Sequence, residues 1–203
     1  MPDCTETKVV FGRIGRRVIE VDFDGGRLGS DGGVMLLRQA DERLGLTRAA
    51  AQEIGDSRNP LLITHELRDL LAQRIYAMCC GYEDLNDHTS LRDDVLMQTA
   101  VGVKDTMASS PTLCRLENRT ARWQSVALHG VLVDQFIASH EHAPERIVLD
   151  IDASDIPLHG DQQRSEFHAY YDHHCYLPLY VFCGQAMLVC YLRNSKIDGA
   201  KHA

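Results

Sequence analysis

The 203-residue chain has no apolar run of the roughly 18 or more residues that a membrane-spanning helix needs. Its first 30 residues carry Arg13, Arg16 and Arg17 but no apolar core of signal-peptide length, so a cytoplasmic protein is expected. It has no C-x-x-C pair, and its seven cysteines are odd in number. A disulfide framework and a structural zinc ribbon are therefore disfavoured, and reduced thiols are the simpler reading. Positive charge is also short, with 21 Lys and Arg against 29 Asp and Glu and a net charge of −8. Any contact with a polyanion must then come from local patches rather than from the overall field. Glycine-rich punctuation exists at Gly25-Gly26 and Gly29-Ser30-Asp31-Gly32-Gly33, but it matches neither G-x-G-x-x-G nor the P-loop. Ser30 or Asp31 reads instead as a helix cap.

What remains is an ordinary globular composition, 44% hydrophobic and 25% charged. Ile19, Val21 and Phe23 alternate with polar neighbours, the period of a half-exposed strand. A helix carrying Val34, Leu36, Leu37, Ala40 and Leu44 follows and stops near Gly45. Asn59-Pro60 opens a second helix over 60–80, ended by Gly81. A short helix is expected over 83–98. A long one over 112–139 has Leu113, Leu116, Trp123, Val126, Leu128, Leu132, Phe136 and Ile137 as its core face. On that helix Arg115, Arg119 and Arg122 fall three to four apart on one side, a phosphate-facing ridge or a solvated face.

After Pro144 the pattern changes. Ile147–Ile151 reads as a buried strand running into an acidic tip with carboxylates at Asp150, Asp152 and Asp155. Crowded carboxylates repel one another unless a cation sits among them, and hard divalent ions such as Mg²⁺ take oxygen ligands. An Asp-rich turn is the competing reading. Tyr176–Phe182 and Met187–Leu192, joined through Cys183-Gly184-Gln185-Ala186, make a β-hairpin. The expectation is an α+β chain: an arm over 1–28, a helical region over 29–143, and the opening strands of an antiparallel sheet over 144–203. Without helices after the last strand to cover that sheet, the domain begun at 146 reads as unfinished, the chain as part of a longer protein. Seven of the ten histidines lie at or beyond residue 140, yet there is no H-E-x-x-H and the spacings fit no common closed zinc site.

Two families share the acidic pattern. Leu149-Asp150-Ile151-Asp152-Ala153-Ser154 resembles the aspartyl-nucleophile motif of haloacid-dehalogenase-like phosphatases, which would make Asp150 the nucleophile and Asp152 the general acid/base. A longer ordered string carries more weight. It comprises Asp150-Ile-Asp-Ala-Ser-Asp155, His159-Gly160, Tyr170-Tyr171, Tyr176-Leu-Pro-Leu-Tyr180 and Tyr191-Leu-Arg193-Asn-Ser-Lys196, with Gly55-Asp-Ser-Arg-Asn-Pro60 and Ser110-Pro-Thr-Leu-Cys-Arg-Leu-Glu-Asn118 upstream. This string resembles the DDE transposases of bacterial insertion sequences, their group 1 branch in particular.

The resemblance implies a ribonuclease-H-like catalytic domain preceded by a DNA-binding helical region. It also implies two Mg²⁺ ions held by two Asp and one Glu, terminal inverted repeats as the DNA partner, and a homodimer in a synaptic complex. Asp152 is then the first ligand and Asp150 the alternative, since alternation puts both on one face. The later Asp and Glu lie beyond residue 203, so this chain alone is expected to be inactive. A non-catalytic DNA-binding remnant is the third reading. Besides the three helical arginines, His159, Arg193 and Lys196 are candidate DNA contacts, while Tyr170, Tyr171 and Tyr176 suit hairpin packing better than base stacking.

Overall fold

The computed structural model describes residues 9–14, 16–21 and 31–201. Asp22, Phe23, Asp24, Gly25-Gly26, Ser30 and His202 lie outside them. The chain is α+β, with a two-stranded antiparallel pair, then helices, then small antiparallel sheets. Strands β1 (Val9–Ile14) and β2 (Arg17–Val21) pair antiparallel. Among the described residues seven α-helices follow: α1 (Val34–Leu44), α2 (Leu46–Ile54), α3 (Leu67–Cys79), α4 (His88–Leu91), α5 (Val95–Val101), α6 (Ser110–Arg119) and α7 (Arg122–Ala138). Among the described residues no helix is long and apolar enough to cross a membrane.

Gly45 ends α1 as expected, at φ 67°, where a side chain would be strained. Asp31 is not the side-chain cap of α1; the N-cap is Gly33, and Asp31 instead accepts a hydrogen bond from the Tyr82 hydroxyl at 2.9 Å. Pro60 starts only a single 3-10 turn, Pro60–Leu62, and the helix proper begins at Leu67. The short helix expected over 83–98 is a 3-10 turn, Leu85–Asp87, followed by α4 and α5.

Helix α3 is central. Ala72 and Tyr76 join Val34, Met97, Val101 and Met107 in one buried cluster. Leu67 and Leu70 join Ile54, Ala108, Leu113 and Leu116 in another. Between them lies buried Gln73, whose amide accepts from Ala108 N–H (3.1 Å) and donates to Ala108 O (2.9 Å) and to His88 Nδ1 (3.1 Å). Accepting at Nδ1 fixes the proton of neutral His88 on Nε2, which is buried without a hydrogen-bond partner. Burial, then the nearby Arg74, holds the imidazole below its ordinary pKa against the opposing pull of Asp87 and Glu117. The unfolded chain therefore takes up a proton at about pH 6.5 that the folded chain refuses. His88 stability is full above that pH and lost as pH falls below it. Thermal melts from pH 7.5 to 5 are expected to show this loss, and His88→Asn to flatten it. The residual slope belongs to His65, also lowered mainly by burial. An unchanged slope in the variant would refute the assignment.

The single helix expected over 112–139 is two. Thr120 (ψ 114°) and Ala121 (ψ 157°) are extended, Thr120 Oγ1 donates to Leu116 O at 2.9 Å, and the Gln124 side chain accepts from Ala121 N–H at 2.7 Å. The apolar face expected of α7 is also corrected. Val131 is buried, but Trp123 is 67% and Ile137 61% exposed, and Val126 is exposed as well. Leu128 packs against the second cluster as expected, and polar side chains add to the attachment: Gln135 donates to Leu44 O at the end of α1 (2.9 Å) and Gln124 to Ile54 O at the end of α2. Both carbonyls are helix-end acceptors with no partner of their own in the helix.

The C-terminal part holds β3 (Asp150–Ala153), β4 (Ile156–Pro157), β5 (Glu166–His168), β6 (His173–Tyr176), β7 (Leu179–Cys183) and β8 (Ala186–Tyr191). Two three-stranded antiparallel sheets result, β3-β7-β8 and β4-β6-β5. The expected hairpin is β7–β8, turning at Gly184 (φ 59°). The run Tyr176–Phe182 breaks at Leu177-Pro178, so Tyr176 pairs in the other sheet. The strand expected at 147–151 begins only at Asp150, and Ile147, Val148, Leu149 and Ile151 are exposed, so it is not a buried strand. With β7 on one side and no partner on the other among the described residues, it is an edge.

Candidate functional site

Antiparallel pairing places Asp150 opposite Phe182 and Asp152 opposite Tyr180, with Tyr180 opposite Cys190 in turn. Paired residues share a sheet face, so both carboxylates stand beside Tyr180 and Phe182. Ile151, Ala153 and Leu179 occupy the opposite face with Tyr191, where Arg122 of α7 binds. The acidic face thus points away from α7. The sheet continues past β3 through Ser154 N–H donating to Pro178 O at 3.2 Å.

Asp155 follows in the loop, and its Oδ2 is 2.8 Å from His173 Nε2 on β6. Sequence reading missed this pair, because no motif links positions eighteen residues apart. Tyr171 lies nearby, its ring centroid 4.9 Å from that of His168 and 6.1 Å from that of His173. Its hydroxyl is pushed above the ordinary tyrosine pKa by burial, then by Asp155, Tyr170 and Asp152. Asp152 and Asp155 therefore act on one group. The three aspartates do not converge further: among the described residues no group of three or more His, Cys, Asp or Glu is placed to hold a metal ion. The donors present are hard carboxylate oxygens of the kind Mg²⁺ takes, and Mg²⁺ accepts one or two carboxylates with water and substrate phosphate completing its shell. Asp152 and Asp150 fit that partial role. Asp155 has one oxygen already engaged.

The predicted DNA contacts separate. Arg115 and Arg119 are on α6, with Arg115 donating to Thr112 Oγ1 at 3.0 Å and Arg119 at 3.8 Å from Asp56. Arg122 is not in line with them, because it belongs to α7. It lies 4.9 Å from the Tyr191 ring centre and donates to the Tyr191 hydroxyl, an interaction that tethers helix to sheet. Arg193 is corrected outright as a surface cation. It is 4% exposed, and its guanidinium donates to Leu177 O (2.9 Å), Gly199 O (3.2 Å) and Lys201 O. It staples the last described segment to the sheet. Lys196 is exposed and 3.2 Å from Glu166, and His159 is exposed. The described cysteines are free.

A second set of residues was not foreseen as a unit. Arg58, Thr64, His65, Arg115, Asn118 and Arg119 line one groove of about 750 Å³ between the 59–65 segment and α6. The signal was present as two separate motifs, Asp56-Ser-Arg-Asn-Pro60 and Thr112–Asn118, with nothing in their spacing to join them.

The family model for the transposase DDE domain group 1 matches residues 11–203. No curated protein and no solved structure matches the chain.

Proposed function

The chain belongs to the transposase DDE domain group 1 family, and on that premise we propose that it serves DNA transposition by Mg²⁺-dependent strand cleavage and transfer. The observation that carries this is the family match spanning residues 11–203, which includes β3 and everything after it. It does not favour the phosphatase reading. Asp152 is the first metal ligand and Asp150 its neighbour on the same face of β3. Mg²⁺ held by Asp152 and Asp150 would supply activation of a water or a DNA 3′-hydroxyl toward in-line attack on a phosphodiester. Asp152 and Asp150 give that chemistry two oxygen-bearing side chains on an exposed strand edge that a duplex can reach. His173 holds Asp155 through one oxygen and fixes the loop beside them.

The antiparallel sheet β3-β7-β8, with the aspartate strand first in the chain, supports a ribonuclease-H-like sheet. Residues 29–143 are the DNA-binding region, and transposon terminal inverted repeats, synapsed by two copies, are the partner DNA. Lys196 and His159, both exposed, are left as candidate DNA contacts. The test is a duplex oligonucleotide carrying an inverted-repeat end, incubated with Mg²⁺ and a version of the protein that also carries the later Asp and Glu the family uses. Nicked and joined products that disappear with chelator are expected. Products that persist in chelator and with Asp152→Ala would sink the reading.

A further inference from the structure

The groove between α6 and the Pro60 turn has no part in the acidic site. Its walls come from two segments that the chain keeps far apart in sequence and folds together through Asp56. That carboxylate accepts from Arg58 Nε at 2.8 and 3.0 Å and lies 3.8 Å from Arg119. The two guanidinium groups are thereby held before any ligand arrives, which lowers the entropy cost of using them. Arg115 adds a third, so three guanidinium-bearing side chains line the groove in a chain whose net charge is −8. Asn118 and Thr112 add hydrogen-bonding side chains. At the rim, the turn nucleated by Pro60 leaves Leu61 91% and Leu62 80% exposed. Clustered arginines suit phosphate oxygens. Adjacent exposed leucines suit the apolar faces of sugars and bases, which a free anion does not offer.

We propose that this groove binds the phosphodiester backbone of a DNA segment, with Arg115 and Arg119 on phosphates and Leu61 and Leu62 against the sugar–base surface. The assignment rests on the reading that the chain handles DNA, and it adds where the helical region grips.

The test is fluorescence anisotropy of the full chain with labelled duplex DNA over a salt series. The Arg115→Ala/Arg119→Ala double variant is expected to bind about tenfold or more weakly at ~0.1 M salt, with the log–log salt slope reduced by about two, one per lost phosphate. Asn118→Asp, which places a carboxylate in the groove without changing side-chain size, is expected to weaken binding in the same direction. Leu61→Ser/Leu62→Ser is expected to lower affinity with the slope unchanged. Circular dichroism melts check that each variant folds, and Arg43→Ala/Arg48→Ala, on exposed positions of α1 and α2, controls for loss of charge alone. Wild-type affinity and slope in both groove variants, while the wild type binds DNA, would overturn the groove and leave the functional reading standing. Inorganic phosphate competing as effectively as duplex DNA would overturn the DNA assignment in favour of a small-anion pocket. No DNA binding by the wild type would overturn the functional reading itself.

Discussion

Asp41→Ala is expected to destabilise the helical region by about 3–5 kcal/mol, the cost of stripping one partner from a buried charged network. Against a typical domain stability of about 5–15 kcal/mol, that leaves a marginal fold. Asp41 sits in the last turn of α1 and is 8% exposed. It accepts the backbone N–H of Thr47 at 2.8 Å, the Thr47 hydroxyl at 2.6 Å and the Tyr76 hydroxyl at 3.0 Å, with Arg68 Nη2 at 3.4 Å. One carboxylate therefore ties α1 to the first turn of α2 and to the centre of α3. The Thr47 N–H is among the amides that a helix start leaves without an internal partner. Alanine would strand that amide and two buried hydroxyls at once.

Tyr76→Phe removes one donor and leaves the rest satisfied, so about 1 kcal/mol is expected. Asp41→Asn keeps one acceptor and should fall between. Urea unfolding followed by circular dichroism measures all three, and Asp41→Ala/Tyr76→Phe should cost less than the sum because both act on one network. Burial alone would raise the Asp41 carboxyl, but the Thr47 and Tyr76 hydrogen bonds and Arg68 outweigh it and hold it below the ordinary carboxylate range. A lowered folded pKa gives stability that is full above the unfolded value of about 3.9 and lost as pH falls below it. Asp41→Asn should therefore flatten the acid limb of the stability curve. A loss below 1 kcal/mol for Asp41→Ala would show that water replaces the carboxylate.

Local signals made parts of this molecule readable. Gly45 marks a helix end because only a left-handed residue closes that turn cheaply, and β7–β8 follows from two apolar runs around Gly184. The shared face of Asp150 and Asp152 follows from strand alternation. The break at Thr120-Ala121 was hidden because neither Pro nor Gly announces it; a side-chain cap from Gln124 makes it. The exposure of Trp123 and Ile137 was hidden because apolar spacing tells which residues share a face, not whether anything covers that face. Arg193 looked like a surface cation because a charged residue after a strand usually is one. Its burial depends on carbonyls at 177, 199 and 201 that only the folded chain brings around it. Asp155–His173 and the Asp56–Arg119 contact were illegible for the same reason: each is a long-range product of packing.

In a version of the protein that also carries the family's later Asp and Glu, Asp152→Ala is expected to lower strand transfer by at least about a thousandfold, equivalent to roughly 4 kcal/mol of transition-state stabilisation, the scale on which a metal ion acts in such chemistry. Asp150→Ala should lower it less, and Asp155→Ala less again. The ranking follows from position. Asp152 pairs with Tyr180 nearer the loop that carries Asp155, whereas Asp150 lies two residues back, opposite Phe182. Two residues of strand set the two Cα atoms about 6.6 Å apart along β3, so the two carboxylates start from different depths on the same face. Asp155 has given an oxygen to His173 and serves chiefly to set the loop. His173→Gln should therefore mimic Asp155→Ala rather than Asp152→Ala. Asp152→Asn separates charge from shape, since the amide keeps the side-chain volume and the strand pairing is backbone. If Asn loses as much rate as Ala with unchanged DNA affinity, the ionised oxygen is what the reaction needs. If Asp150→Ala loses more than Asp152→Ala, the first ligand is Asp150. Wild-type rates in both variants would remove β3 from the chemistry altogether.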